Sequence, residues 1–223
     1  MSSAQDSLEE SRPRWQRRKD ARPTEIAQAA LELFVERGFS ATKLEDVARK
    51  AGVSKGTMYL YFESKDALFK AAVRESIVAS IERAEQLTEQ FRGTTPQLVA
   101  AMLRFWWQSI GESPASGLPK LMVAEARNFP ELTRWYFEEV IQRGQALAAR
   151  VLQRGIDRGE FRPMRVDIAV RLAISPLIQL ALWKHSFNYC DPNRADPRAV
   201  VEQHVEFFLR AIAAESREDT HGA

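Results

Sequence analysis

The segment Leu44-Glu45-Asp46-Val47-Ala48-Arg49-Lys50-Ala51-Gly52-Val53-Ser54-Lys55-Gly56-Thr57-Met58-Tyr59-Leu60-Tyr61-Phe62-Glu63 decides how the chain is read. Leu44, Val47, Ala48 and Ala51 recur at helical spacing, and the run stops at Gly52, which can take the positive φ of a tight turn. Ser54 then offers an N-cap to a second short helix over 55–61, whose Met58 returns, with Phe62, to the same core. Ala48 is small where the two helices must cross. A helix this short is unstable alone, so packing must hold it. Its outward side chains are hydroxyls, Lys55 and two tyrosines, which can donate to phosphates and touch base edges in a major groove. Two short helices joined at a glycine elbow form the pattern of a DNA-binding helix-turn-helix.

Working outward, Pro23-Thr24-Glu25 predicts a helix start, with Ile26, Ala29, Ala30, Leu33 and Phe34 on one face and Gly38 closing it. Ser64 predicts the cap of a long helix ending near Gly93. Pro- and Gly-bearing breaks then separate helical segments over about 97–110, 119–128, 131–155, 167–187 and 197–214. No segment alternates with the period of two that a strand requires. The expectation is an all-α chain of about nine helices. Residues 1–22 read as a flexible arm, 23–68 as the DNA-binding domain and 69–223 as an effector-binding and dimerisation domain. The arm's Arg12, Arg14, Arg17, Arg18, Lys19 and Arg22 suit either a solvated tail or a segment laid along phosphates.

Of the 223 residues 45% are hydrophobic and 28% charged, a balance that excludes a disordered or fibrous chain. Formal net charge is only +2, but residues 12–65 hold twelve Lys/Arg against seven Asp/Glu, a basic head on a neutral body. Cys190 is the single cysteine, so no disulfide can form within the chain, and His185, His204 and His221 lack zinc-ligand spacing. With no Gly-rich phosphate loop and no nucleophile signature, neither catalysis nor a cofactor nor a metal is expected. The apolar run Ile168–Trp183 contains Arg171, Pro176 and Gln179 and is not expected to span a membrane. A cytoplasmic protein is the expectation.

From Thr24 to Val73 the sequence resembles the N-terminal domain of the TetR family of bacterial transcriptional regulators. The resemblance rests on Gly38-Phe39-Ser40-Ala41-Thr42, Val47-Ala48, Ala51 through Tyr59, then Tyr61-Phe62-Glu63-Ser64-Lys65 and Leu68. It implies a ligand-responsive, homodimeric regulator, a repressor released from a palindromic operator in double-stranded DNA. It further implies DNA contacts from Thr42, whose hydroxyl and amide would face a phosphate, and from Lys43. Ser54, Lys55, Gly56 and Thr57 would open the recognition helix, with Tyr59 and Tyr61 as groove- and phosphate-contacting aromatics and Lys65 as a phosphate anchor.

In the body, aromatic residues concentrate at 105–107, 129–137 and 183–189, as core packing or as the wall of an apolar cavity. The segment 97–110 is apolar nearly all round and is expected to be central and buried. The resemblance implies an effector pocket here, with Met102, Phe105, Trp106, Met122, Glu125 and Trp135 as its candidate contacts. The helices at 167–187 and 197–214 carry more apolar surface than one core can cover, which points to a homodimer interface. An alternative keeps the DNA-binding head but lets the body dock a protein partner instead of a small ligand.

Overall fold

A computed structural model describes residues 14–214, with side chains from Arg22 onward. The described residues form nine helices: α1 (Arg14–Arg37), α2 (Leu44–Lys50), α3 (Lys55–Tyr59), α4 (65–90), α5 (95–111), α6 (Leu118–Glu125), α7 (130–157), α8 (Val166–Lys184) and α9 (Pro197–Ile212). Three of them contain a π turn, at Arg74–Val78 in α4, Trp107–Gly111 in α5 and Phe137–Gln142 in α7. The all-α expectation holds. The chain divides into two compact units, the first ending at Glu75 and the second starting at Ser76.

The first unit is built on α1. The helix does not start at Pro23, as its sequence predicts, but runs through it from Arg14. Proline's fixed φ is itself helical, so here it removes one hydrogen bond without ending the helix. Residues 14–22 therefore belong to α1, and the rest of the expected arm lies outside the described residues. Ile26, Ala30, Leu33 and Phe34 are buried, as their spacing predicts, and α1 packs along the start of α4. Phe34, Phe39 and Phe69 close a triangle of rings with centroids 5.3–5.5 Å apart. Phe69, Ala72 and Val73 are buried, which carries this unit beyond the boundary at 68 that the sequence suggests.

The second unit is a helical bundle around Leu98, Leu103, Trp107, Val151, Phe161 and Leu177. A reciprocal capping box, Thr94 with Gln97, starts α5, and Glu160 accepts the Thr95 amide at 2.9 Å. Helix α5 is not buried on all sides, however. Leu98, Val99, Leu103, Trp107 and Ile110 face the core, while Ala101, Arg104 and Gln108 are exposed and Phe105 and Trp106 half-buried. Ala101 is small enough to leave in water at little cost. A β-carbon on Gly111 would lie 2.3 Å from the Trp107 ring, so the π turn needs glycine to admit that tryptophan.

Helix α8 buries Ala169, Val170, Ala173, Leu177 and Ala181 and carries Pro176 without interruption. By length and composition alone it is long and apolar enough to cross a membrane, a test that the core helices of globular domains also pass. Only 28% of its apolar window is buried. Ile168, Leu172 and Trp183, with Phe187 just beyond, are exposed along one side, and Phe207 is exposed on α9.

A polar knot closes the end of α8. The Ser116 hydroxyl, fully buried, donates to Ser113 O at 2.7 Å and accepts from Lys184 Nζ at 3.2 Å. Its remaining lone pair meets His185 Nε2 at 2.8 Å, which makes the imidazole the donor there. Lys184 also donates to Gly111 O at 2.9 Å, and Lys120 to His185 O. Burial, with Lys184 and Lys120 nearby, holds the His185 pKa below its ordinary value. Below about pH 6.5 the unfolded chain therefore takes up a proton that the folded chain resists, and stability falls as pH falls. His185→Gln keeps a donor at the Nε2 position. Denaturant titrations between about pH 7 and pH 5 should show the wild type losing more stability than this variant.

Candidate nucleic-acid interface

The elbow between α2 and α3 has the geometry the sequence predicts. Gly52 sits at φ +66°, Val53 N donates to Ala48 O at 2.9 Å and Gly52 N to Arg49 O at 3.2 Å. These are the two crossed bonds of a Schellman turn, which satisfy the last carbonyls of α2 and reverse the chain. Ser54 then caps α3, its Oγ accepting the Thr57 amide at 3.0 Å. Val47, Ala48, Met58 and Phe62 are buried together under the pair, and Leu44, Ala51 and Val53 are half-buried at its margin. The packing leaves Lys55, Gly56, Tyr59 and Leu60 on the outer side, Tyr59 with 44% of its surface in solvent.

Charge on this face is already arranged. Lys55 Nζ lies 2.5 Å from Glu45 Oε1 and 5.9 Å from the centroid of the Tyr59 ring. The ammonium pulls the Glu45 carboxyl below its usual range, and the carboxylate raises the Lys55 pKa in return. Both groups are exposed, so a phosphate can displace the carboxylate at small cost. Ser54 and Thr57 share a hydroxyl–hydroxyl bond of 2.8 Å. Lys43 is exposed at the N-cap of α2, and Tyr61 is half-buried.

Two of the residues expected to touch DNA have other work in this structure. Thr42 is only 1% exposed, and its hydroxyl donates toward Gly38 O at 2.7 Å, with Leu33 O at 3.2 Å. That hydroxyl does not face outward to a phosphate; it ties the loop back onto the end of α1. Lys65 Nζ donates to Phe39 O at 2.9 Å, Ser40 O at 3.2 Å and Thr42 O at 3.3 Å, and lies 4.6 Å from the Phe39 ring centroid. An ammonium has three protons, and three carbonyls take them. In this structure Lys65 is a clasp on the loop 38–42, and no local sequence signal announces that contact because its partners lie more than twenty residues upstream.

The effector candidates fall in less uniform surroundings. Met102 and Trp106 pack on the main core, Met122 is buried, and Phe105, Glu125 and Trp135 are half-buried. Glu125 accepts from Asn128 at 3.0 Å. Arg104 is held by Glu202 through Nε at 2.8 Å and Nη2 at 2.6 Å. This pair stands over a groove of about 590 Å³ between α5 and α9, which also involves Ala100, Ala199, Val205 and Leu209.

With this geometry in place, residues 26–72 match the pattern of "Bacterial regulatory proteins, tetR family", and residues 97–214 match "AefR-like transcriptional repressor, C-terminal domain". The chain belongs to the TetR family. It is 27% identical to the uncharacterized HTH-type transcriptional regulator YfiR of Bacillus subtilis, over 87% of this chain and 93% of that protein. It is 26% identical to the HTH-type transcriptional repressor KstR2 of Mycolicibacterium smegmatis, over 90% of this chain and 95% of that one. The transcriptional regulator FadR from Bacillus subtilis, solved in complex with stearoyl-CoA, shares the fold with a TM-score of 0.68. That match is 22% identical and covers 85% of this chain and 98% of the other. Members of the family regulate transcription, and the relatives include repressors.

Two substitutions separate the roles on this face. Lys65→Met should lower the melting temperature by several degrees, because three carbonyls lose a charged donor worth about 1–3 kcal/mol in all. It should leave the salt dependence of DNA binding unchanged, whereas loss of a phosphate contact would reduce the slope by about 0.9. Gly56 has ordinary φ, and a β-carbon there would meet only Ser54 Oγ at 3.8 Å. The fold does not require glycine at this site. Gly56→Ala should hold or raise stability, by as much as about 1 kcal/mol, while weakening DNA binding about tenfold as the backbone is held off the groove. Thermal melts and fluorescence anisotropy titrations check both.

Proposed function

We propose that the protein is a homodimeric repressor that binds a palindromic operator through α3 and leaves it when a small, largely apolar effector binds the second unit. The observation that carries this reading is the α2–α3 pair, which buries Met58 and Val47 and leaves Lys55, Gly56 and Tyr59 to solvent beside Lys43. In this reading Lys43, Ser54, Lys55, Gly56, Thr57, Tyr59 and Tyr61 make the DNA contacts, and two copies set their recognition helices about 34–36 Å apart in successive major grooves.

The dimer follows from surface chemistry. Ile168, Leu172, Gln179 and Trp183 recur on one side of α8 at spacings of three to four or their multiples, and Phe207 adds to the exposed apolar surface on α9. Leu172 has 60% and Phe207 61% of its surface in water. An apolar stripe of this kind is stable in solution when a second copy covers it, and a two-fold axis pairs it with itself. The lipid-like character of the proposed effector draws on the stearoyl-CoA bound by the FadR relative and on Met102, Phe105, Trp106, Met122 and Trp135, with Glu125 as a polar partner. The effector acts by binding the form that cannot hold DNA more tightly than the form that can. A body that docks a protein in place of a small ligand is the second reading, supported by the partly open α5–α9 groove.

Leu172→Glu should convert the dimer to a monomer in analytical ultracentrifugation and lower operator affinity at least about 100-fold, since one half-site contact remains. A dimer that persists in this variant places the interface elsewhere. The effector reading is tested by native mass spectrometry of the purified chain with added long-chain acyl-CoA thioesters. The expected result is a stoichiometric complex whose formation releases bound DNA.

A further inference from the structure

In the second unit, residues 160–162 and 212–214 meet in an antiparallel bridge. Phe161 lies opposite Ala213, Arg162 N donates to Ile212 O at 3.0 Å and Ala214 N to Glu160 O at 3.3 Å. The bridge delivers the chain leaving α9 to the C-terminal end of α7. Three arginines stand there at intervals of four residues: Arg154 in the last turn of α7, Arg158 as its C-cap, and Arg162 beyond. Arg158 and Arg162 are exposed and Arg154 is half-buried, its Nε a buried donor with no acceptor. Among the described residues none of the three pairs with a carboxylate, whereas Arg143, Arg150 and Arg165 on either side do. The acidic groups closest in sequence are engaged elsewhere. Asp157 accepts from Gln153 at 2.8 Å, and Glu160 from the Thr95 amide at 2.9 Å. The row is a cationic patch with unused donors, and such a patch calls for an anion.

We propose that this row binds the acidic segment that follows Ala214 in the same chain. That segment reads Glu215-Ser216-Arg217-Glu218-Asp219, three carboxylates against one arginine. Five extended residues reach about 16 Å from Ala214, and Arg158 and Arg154 stand only about 6 Å apart along the helix axis. The segment can therefore set carboxylates against both. Its tether holds it at an effective concentration far above that of a free peptide. A guanidinium takes a carboxylate through two parallel hydrogen bonds, and one of these gives Arg154 Nε its acceptor. The negative end of the α7 dipole opposes the contact with about half a charge, against three full positive charges. Docked, the segment neutralises the patch and keeps other polyanions off it.

The test uses trypsin on the full-length chain, because Arg217 is itself a cleavage site. Release of the peptide Glu218–Ala223 is followed by mass spectrometry, and its rate is compared with that from a free peptide of residues 212–223. Cleavage scales with the population of the undocked form. At about 0.05 M salt the chain should be cut about tenfold more slowly than the peptide, and at about 0.5 M salt, where charges are screened within a few ångström, at nearly the same rate. Arg158→Gln, whose side chain is exposed, should lose most of the protection at low salt. Arg165→Gln, which is paired with Asp167 outside the row, should keep it. Cleavage of the wild type at the peptide's rate at low salt overturns the inference, as does protection that survives both Arg158→Gln and high salt, or equal loss in the two variants. Protection that falls on dilution also overturns it, since the segment would then lie on a second copy.

Discussion

The left-handed turn at Gly52 is the constraint on which the outer face of the helix-turn-helix depends. At φ +66° the chain reverses within two residues, and the Schellman bonds from Val53 and Gly52 satisfy the Ala48 and Arg49 carbonyls at the end of α2. A residue with a β-carbon would be strained in that conformation. Because the reversal is so tight, Ser54 falls where it can cap α3, and Met58 falls over Val47 and Ala48. Helix α3 has only five residues and cannot persist by its own hydrogen bonds. Its outward face is therefore a consequence of what its inward face buries.

The second constraint is electrostatic and local. The loop 38–42 between α1 and α2 exposes several backbone carbonyls, and the fold satisfies them with two side chains, Thr42 and Lys65. Lys65 is the first residue of α4, so the clasp binds the start of that helix to the start of the helix-turn-helix. The Phe34–Phe39–Phe69 triangle does the same with apolar surface. The clasp and the ring triangle thus hold the loop on which α2 begins. By contrast Lys55, exposed and held by Glu45 and the Tyr59 ring, remains available to an incoming phosphate.

In the second unit the contrast between buried and exposed apolar residues carries the functional meaning. Helix α8 spends its alanines and Leu177 on the bundle and leaves Ile168, Leu172 and Trp183 outside. Small residues inside and large ones outside is the reverse of what a lone soluble helix needs, and it is what an interface helix needs. Helix α5 shows the ordinary arrangement, with Trp107 inside and Arg104 outside, bridged to Glu202.

Much of this protein is legible in its sequence. Helical periodicity, caps at Ser54 and Ser64, and glycines at 38 and 52 announce the all-α fold and the elbow, because each acts over a few residues. The exposed row on α8 is legible as an excess of apolar residues, although not which of them face outward. Pro23 misleads, because a proline's local preference to open a helix does not forbid its accommodation inside one. The roles of Thr42 and Lys65 were decided by tertiary structure alone. A hydroxyl or an ammonium has the same chemistry toward a phosphate as toward a backbone carbonyl, and only the fold brings the carbonyls of residues 33–42 within reach before any DNA arrives.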